Sequence, residues 1–240
     1  MPLISCQHID PVTVLAHPAN YQLDNMVHVW CISISANLAL LSLAGELLSP
    51  DEHQRAARYH HDRDRERFIV SRVALRQLLG RYLDVAPAHV RFIIGDNKKP
   101  YVAAKIPLYY NVAHAGDRIL IAVSDHPTGV DVEHITRDIA IEDIAQTCCS
   151  AAEQQYINTA ADKPRAFYKL WTRKEALLKA TGKGIDDDMV HVPAMDGTHN
   201  TTTAYTGATA NMQVSGFDIE RDYIGCVATP VHITVSVFNY

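Results

Sequence analysis

Gly129-Val130-Asp131-Val132-Glu133-His134-Ile135 and Phe167–Gly184 (FYKLWTRKEALLKATGKG) are the two stretches on which the reading of this chain turns. The first alternates in character. Residues two apart in a strand share a face, so Asp131 and Glu133 stand side by side while Val130 and Val132 turn toward a core. Two adjacent carboxylates repel unless a cation lies between them. Magnesium suits such a pair, because it takes hard oxygen ligands and keeps waters for phosphate oxygens. A solvated strand face would show the same D-x-E. The second stretch reads as a helix, with Pro164 near its start and Gly182 just past its end. It carries Lys174, Glu175 and Lys179. Glu175 and Lys179 form an i,i+4 pair, which by itself is an ordinary helix-stabilising contact. Leu170, Trp171, Leu177 and Leu178 read as core.

Upstream, a similar series runs in the same order. VHVWCISI (Val27 to Ile34) alternates as a strand. Ser49 and Glu52 have capping-box spacing at the start of a short helix. A long helix follows over about Asp62 to Tyr82, with Phe68, Val70, Val73, Ala74, Leu75, Leu78 and Leu79 as its apolar face. HVRFIIG, LYYNVAHAG and RILIAVS are strands, the last two joined at Gly116-Asp117. Beyond the acidic strand, Ser150 caps another helix. HVPAM, NTTTAYTG, SGFDIE, DYIGCVA and HITVSVF read as later strands. An offset of 102 places Val29 and Cys31 on Asp131 and Glu133, and Arg72 to Leu75 on Lys174 to Leu177. The fold expected is α+β, two similar α/β halves related by a pseudo-twofold. Residues 1–25 read as an irregular extension, 26–125 as the first half and 126–240 as the second. The carboxylates occur in the second half only, which points to one site at the junction of the halves.

Composition sets outer bounds. A chain of 240 residues and 26.7 kDa can bury about 72% of its unfolded surface, enough for a core without disulfides or metals. The net charge of −5 excludes bulk attraction to nucleic acid or to an anionic membrane. No apolar run approaches a membrane span, and the first residues lack the pattern of a signal peptide. Five cysteines without metal spacing, two of them the neighbours Cys148 and Cys149, fit reduced thiols in the cytoplasm. His60 and His61 lie on a charged, solvated stretch.

Two further segments bear on chemistry. Lys98 and Lys99 precede Pro100, either to hold a phosphate or to decorate a turn. His114 stands before Gly116 in YYNVAHAGD, where an imidazole and a turn's N–H groups suit an anion. The whole order is K-P, then N-x-x-H, then GxDxE, then about forty residues to W-T-x-K-E-A-x-x-K. It resembles the Sfp-type 4′-phosphopantetheinyl transferases. The likeness covers roughly Ser49 to Gly184, and the doubled architecture extends it to nearly the whole chain.

The resemblance implies a magnesium-dependent enzyme with coenzyme A bound between the halves. Such an enzyme transfers phosphopantetheine to a serine of an apo acyl or peptidyl carrier protein and releases adenosine 3′,5′-bisphosphate. It implies Asp131, Glu133 and Glu175 as metal ligands, Glu175 or a metal-bound water as base, and Lys174 and Lys179 near the pyrophosphate, with Lys179 stabilising charge during transfer. It also implies coenzyme A contacts from Lys99, Asp131 and His114, and from Arg55 and Arg67 at the adenosine 3′-phosphate. Where relatives often have serine before the histidine this chain has Ala113, leaving only a backbone N–H to the ligand. Glu52 stands where some relatives have lysine, removing one phosphate contact. The partners expected are carrier proteins and coenzyme A, with no nucleic acid or membrane, for a monomer. Rival readings are another magnesium-dependent enzyme acting on a nucleotide pyrophosphate, or an inactive carrier-binding module.

Overall fold

The computed structural model describes all residues except 11, 17, 95–99 and 105, together with the side chain of Ile94. Its elements in chain order are β1 (Leu3–Ile9), β2 (Val14–Leu15), β3 (Met26–Ser33), α1 (Ala44–Leu47), α2 (Pro50–Ala56), α3 (Asp62–Leu83), β4 (Phe92–Ile94), β5 (Pro100–Val102), β6 (Tyr109–Ala115) and β7 (Arg118–Ser124). Then follow β8 (Gly129–His134), α4 (Ile141–Cys148), α5 (Ala151–Thr159), α6 (Lys163–Thr181), β9 (Gly197–Asn200), α7 (Thr203–Thr206), β10 (Met212–Glu220), β11 (Tyr223–Pro230) and β12 (Thr234–Asn239). 3₁₀ segments cover Ser35–Leu43, which is kinked at Asn37, Pro87–His89 and Asp187–His191.

Two five-stranded sheets form, in the orders β2-β12-β3-β7-β6 and β8-β11-β10-β1-β9. In each, the strand that precedes the helices pairs antiparallel with the second strand of the later hairpin: β3 with β7, and β8 with β11. The local helix signals also recur. Ser49 and Ser150 each close a capping box, with Glu52 and Glu153. Asp84 and Gly182 each end a long helix in the left-handed conformation.

The repeat extends to buried charge. Glu52 accepts from Arg72 Nε and Arg76 Nε, both at 2.7 Å, and Arg76 also donates to the Pro87 carbonyl. In the second half Glu153 lies 2.8 Å from Lys174 Nζ, which donates to the Met189 carbonyl at 3.0 Å. Each half thus ties its short helix and its 3₁₀ segment to its long helix through one enclosed acid–base contact. A buried charge persists only when paired in this way.

Three expectations are corrected. Leu3–Ile9 is a strand, not irregular extension, and pairs parallel with β10 in the second sheet. At the other terminus β12 pairs parallel with β3 in the first sheet. The two ends of the chain therefore cross over, each completing the sheet begun by the other half. HVPAM is not a strand: His191 ends a 3₁₀ segment. NTTTAYTG is not one either, since Thr203–Thr206 is a helical turn closed by left-handed Gly207.

One core lies under α3 and includes Trp30, Leu75, Leu78 and Ile121. A second lies under α6 and includes Phe167, Leu170, Leu177 and Val214. A third joins the halves: Val29, Ala113 and Leu120 meet Val130, Val132 and Phe217. The face of β8 opposite Val130 and Val132 carries Asp131 and Glu133 and lies against α6.

Candidate functional site

The site is built by β8 lying against α6. Two residues of strand rise about 6.6 Å and four residues of helix rise about 6.0 Å. Alternate strand positions can therefore stay in step with every fourth helix position. Gly129 meets Ala176 and Ala180, Asp131 meets Lys179, and Glu133 meets Trp171. The stripe Trp171, Glu175, Lys179 on α6 faces the pair Asp131, Glu133 on β8. Gly129 permits the contact, because a Cβ there would lie 2.2 Å from the Ala176 carbonyl oxygen and 2.3 Å from the Ala180 nitrogen.

Within this register Lys179 Nζ lies 2.5 Å from Asp131 Oδ1 and 3.1 Å from Glu175 Oε2. Trp171 Nε1 donates to Glu133 Oε1 at 3.2 Å. Asp131 is 3% exposed, and its other oxygen, Oδ2, is buried with no hydrogen-bond partner. Burial pushes the Asp131 carboxyl up to about 7, with Lys179 opposing the rise and Glu175 and Glu133 adding to it. Glu133 is raised by burial and by Glu175. Burial works against the Lys179 ammonium, but Asp131 and Glu175 outweigh it and hold its pKa above the ordinary value. Three carboxylates thus gather about one ammonium that touches two of them, Asp131 and Glu175, which leaves an excess of negative charge in a poorly solvated place.

The first half supplies the opposite wall. Asn111 Oδ1 on β6 accepts from the Val130 N–H at 2.9 Å and fastens β6 to β8. His114, on the same strand, is exposed; the surrounding protein and then the charges of Arg67 and Lys179 hold its pKa below the ordinary value. The charges of a guanidinium on α3 and of the ammonium on α6 thus both favour the neutral imidazole. Arg67 is also paired with Asp64 at 2.8 Å.

Of the residues singled out from sequence, Asp131, Glu133, Glu175, Lys179, His114 and Arg67 come together here. Ala113 is buried in the core between the halves, beneath His114. Arg55 is exposed, its guanidinium 5.3 Å from the Phe68 ring centroid. Lys99 lies outside the described residues. Lys174 is corrected: it is fully enclosed against Glu153 and faces away from the carboxylates. One residue turns a helix by 100°, so Lys174 and its neighbour Glu175 cannot share the β8 face. Glu52 is likewise a structural acid held by two arginines, not a vacated phosphate contact.

Sequence reasoning includes Asn111 and Trp171 in the N-x-x-H and W-T-x-K-E-A motifs but assigns neither a site role: Trp171 does pack on the core, and its indole N–H also serves Glu133. The i, i+4, i+8 spacing of 171, 175 and 179 was the available signal for Trp171; nothing local marks the contact of Asn111 with Val130.

Among the described residues no group of three His, Cys, Asp or Glu side chains converges closely enough to hold a metal ion as it stands. The donor set nevertheless fits a divalent cation: hard oxygens, surplus negative charge and an orphaned Asp131 Oδ2. No helix among these residues is long and apolar enough to cross a membrane.

Comparison with known proteins bears on the family of the chain. Residues 127–228 match the family model described as the 4′-phosphopantetheinyl transferase superfamily, and residues 35–126 match one described as 4′-phosphopantetheinyl transferase, N-terminal. The chain is 34% identical over 180 residues to the 4′-phosphopantetheinyl transferase HetI of Nostoc sp. (strain PCC 7120), covering 72% of this chain and 76% of the relative. It is 29% identical over 141 residues to 4′-phosphopantetheinyl transferase Sfp of Bacillus subtilis (strain 168), covering 58% and 62%. It is 33% identical over 141 residues to 4′-phosphopantetheinyl transferase psf-1 of Bacillus pumilus, covering 58% and 59%. The chain thus spans about three quarters of the Nostoc protein and about three fifths of the two Bacillus proteins.

Proposed function

Because the chain belongs to the 4′-phosphopantetheinyl transferase superfamily and is a transferase of that kind, we propose that it moves the 4′-phosphopantetheine group of coenzyme A onto a serine hydroxyl of an apo acyl or peptidyl carrier protein. The observation that carries this reading is the meeting of Asp131, Glu133, Glu175 and Lys179 with His114 and Arg67 across the junction of the halves.

Asp131, Glu133 and Glu175 would hold the magnesium ion. When bound, it supplies charge neutralisation at the pyrophosphate. The chain's own groups do the rest. The serine oxygen forms a bond to the β-phosphorus, and the bond to adenosine 3′,5′-bisphosphate breaks. Glu175 accepts the serine proton, directly or through a water. Lys179 lies on a flexible stem beside the carboxylates. Its ammonium offsets charge that builds on the phosphate oxygens, a contribution of about 10²–10³ in rate for one well-placed donor. His114, held neutral, donates N–H to a phosphate oxygen, and Arg67 draws the adenosine 3′-phosphate. We take the protein to act as a cytoplasmic monomer with a pseudo-twofold between residues 26–125 and 126–240, each half completed by a terminal strand from the other end of the chain.

The test is the mass of a panel of apo-carriers after incubation with this protein, coenzyme A and magnesium. A gain of one phosphopantetheine group on at least one carrier is expected. No gain, with Sfp active on the same panel, overturns the proposal. Transfer by Glu175→Ala within tenfold of the parent overturns the assignment of Glu175.

A further inference from the structure

The three carboxylates are not held alike. Asp131 and Glu175 both lie against Lys179. Glu133 takes its hydrogen bond from the Trp171 indole. An indole N–H donates but carries no charge, so it orients a carboxylate without neutralising it. The indole is itself braced. Its ring centroid is 5.9 Å from that of Phe167, with the planes tilted by 31°, and it packs on the core beneath α6. A side chain locked by packing is a precise anchor for a neighbour's rotamer.

The duplicated scaffold offers an internal control. At the 102-residue offset, Glu133 corresponds to Cys31 and Trp171 to Ile69. Neither bears a carboxylate or an N–H donor. At this helix position the indole occurs in the half with an acid to hold, whereas Ile69 suffices for packing at the equivalent place.

We propose that Trp171 is a positioning residue which holds Glu133 toward Asp131 and Glu175 for a divalent cation. The inference rests on the reading of these carboxylates as the metal-holding group. Trp171 sets the rotamer of Glu133 and leaves its charge available. It touches no reacting atom, so its loss raises the metal requirement more than it lowers turnover.

The chain has two tryptophans, which makes the test direct. Trp30 is buried in the other half and donates to Tyr82 Oη at 3.0 Å. In a Trp30→Phe variant the remaining indole emission comes from Trp171. Titrating that variant with Mg²⁺, with and without coenzyme A, should change the emission, and adding Glu133→Gln should abolish the change. Trp171→Phe keeps a ring on Phe167 and removes the donor. It should melt within a few degrees of the parent and bind Mn²⁺, followed by electron paramagnetic resonance without carrier, about tenfold more weakly. Its half-saturating Mg²⁺ in carrier transfer should rise by the same factor, with turnover at saturating metal within about threefold. A folded Trp171→Phe variant with parental Mn²⁺ affinity overturns the proposal. So does an unchanged Trp171 emission at saturating Mg²⁺ and coenzyme A, which needs no Trp171 variant to fold. Failure of the parent to modify any carrier overturns the transferase reading instead, and the Mn²⁺ and emission arms still decide the role of Trp171.

Discussion

Replacing Gly129 by alanine tests whether the contact of β8 with α6 is what assembles the site. An alanine Cβ would lie 2.2 Å from the Ala176 carbonyl oxygen and 2.3 Å from the Ala180 nitrogen. An ordinary contact begins at 3.4 Å, so strand and helix must part by about 1.2 Å. Both obstacles are backbone atoms of the last turns of α6, held in the helix's hydrogen-bonded ladder, and cannot rotate away as a side chain would. Overpacking of this kind costs typically 1–3 kcal/mol, and two backbone contacts place this case near ~3 kcal/mol. At roughly 2–4 °C per kcal/mol for a chain of this size, the melting temperature should fall by about 6–12 °C. The same displacement pulls Asp131 from Lys179 and Glu133 from Trp171. A shift of about 1 Å in a catalytic constellation costs on the order of 100-fold. Single-turnover transfer to an apo-carrier, well below the melting transition, should therefore slow by that factor. Ala180→Gly should not rescue it, because the clash is with the backbone of Ala180 and not with its methyl group. A Gly129→Ala protein melting within 2 °C of the parent and transferring within about threefold would refute the reasoning, since the close approach would then be dispensable.

Other expectations follow from individual contacts. Lys174→Met leaves Glu153 buried without its cation and should cost about 3–5 kcal/mol in urea unfolding; the KM for coenzyme A should stay unchanged, whereas a phosphate-binding lysine would raise it. Lys179→Met should slow transfer by about 100-fold yet tighten Mn²⁺ binding without coenzyme A, because the ammonium lying on Asp131 and Glu175 is gone; weaker Mn²⁺ binding would contradict the shared-charge picture. His28 is buried, bonded to Tyr82, and lowered by burial to about 4. The unfolded chain therefore binds more protons there. Stability from His28 is complete above about pH 6.5 and lost as pH falls toward 4, up to about 2 kcal/mol between pH 7 and 5. His28→Gln should flatten that part of the urea midpoint–pH curve, and an unchanged slope would show that His28 does not titrate there.

Much of this architecture was legible because it is local. Capping boxes at Ser49 and Ser150, the left-handed stop at Gly182 and the alternation of GVDVEHI each depend on residues within one or two turns. That Asp131 and Glu133 share a face was legible for the same reason; that Glu175 joins them was implied by the family resemblance alone. HVPAM and NTTTAYTG misled because short apolar and threonine-rich runs carry strand propensity that packing overrides.

What lay beyond the linear pattern is whatever needs two distant segments at once. The partnership of Lys174 with Glu153, of Trp171 with Glu133 and of Asn111 with Val130 each joins residues from different elements. So does the exchange of β1 and β12 between sheets, where strands from opposite ends of the chain complete each other's halves. A lysine's place in the order of residues does not say whether its ammonium meets a phosphate or a buried glutamate. Helix phase narrows that choice, and the packing of α5 against α6 makes it, because an enclosed charge must take the partner that encloses it.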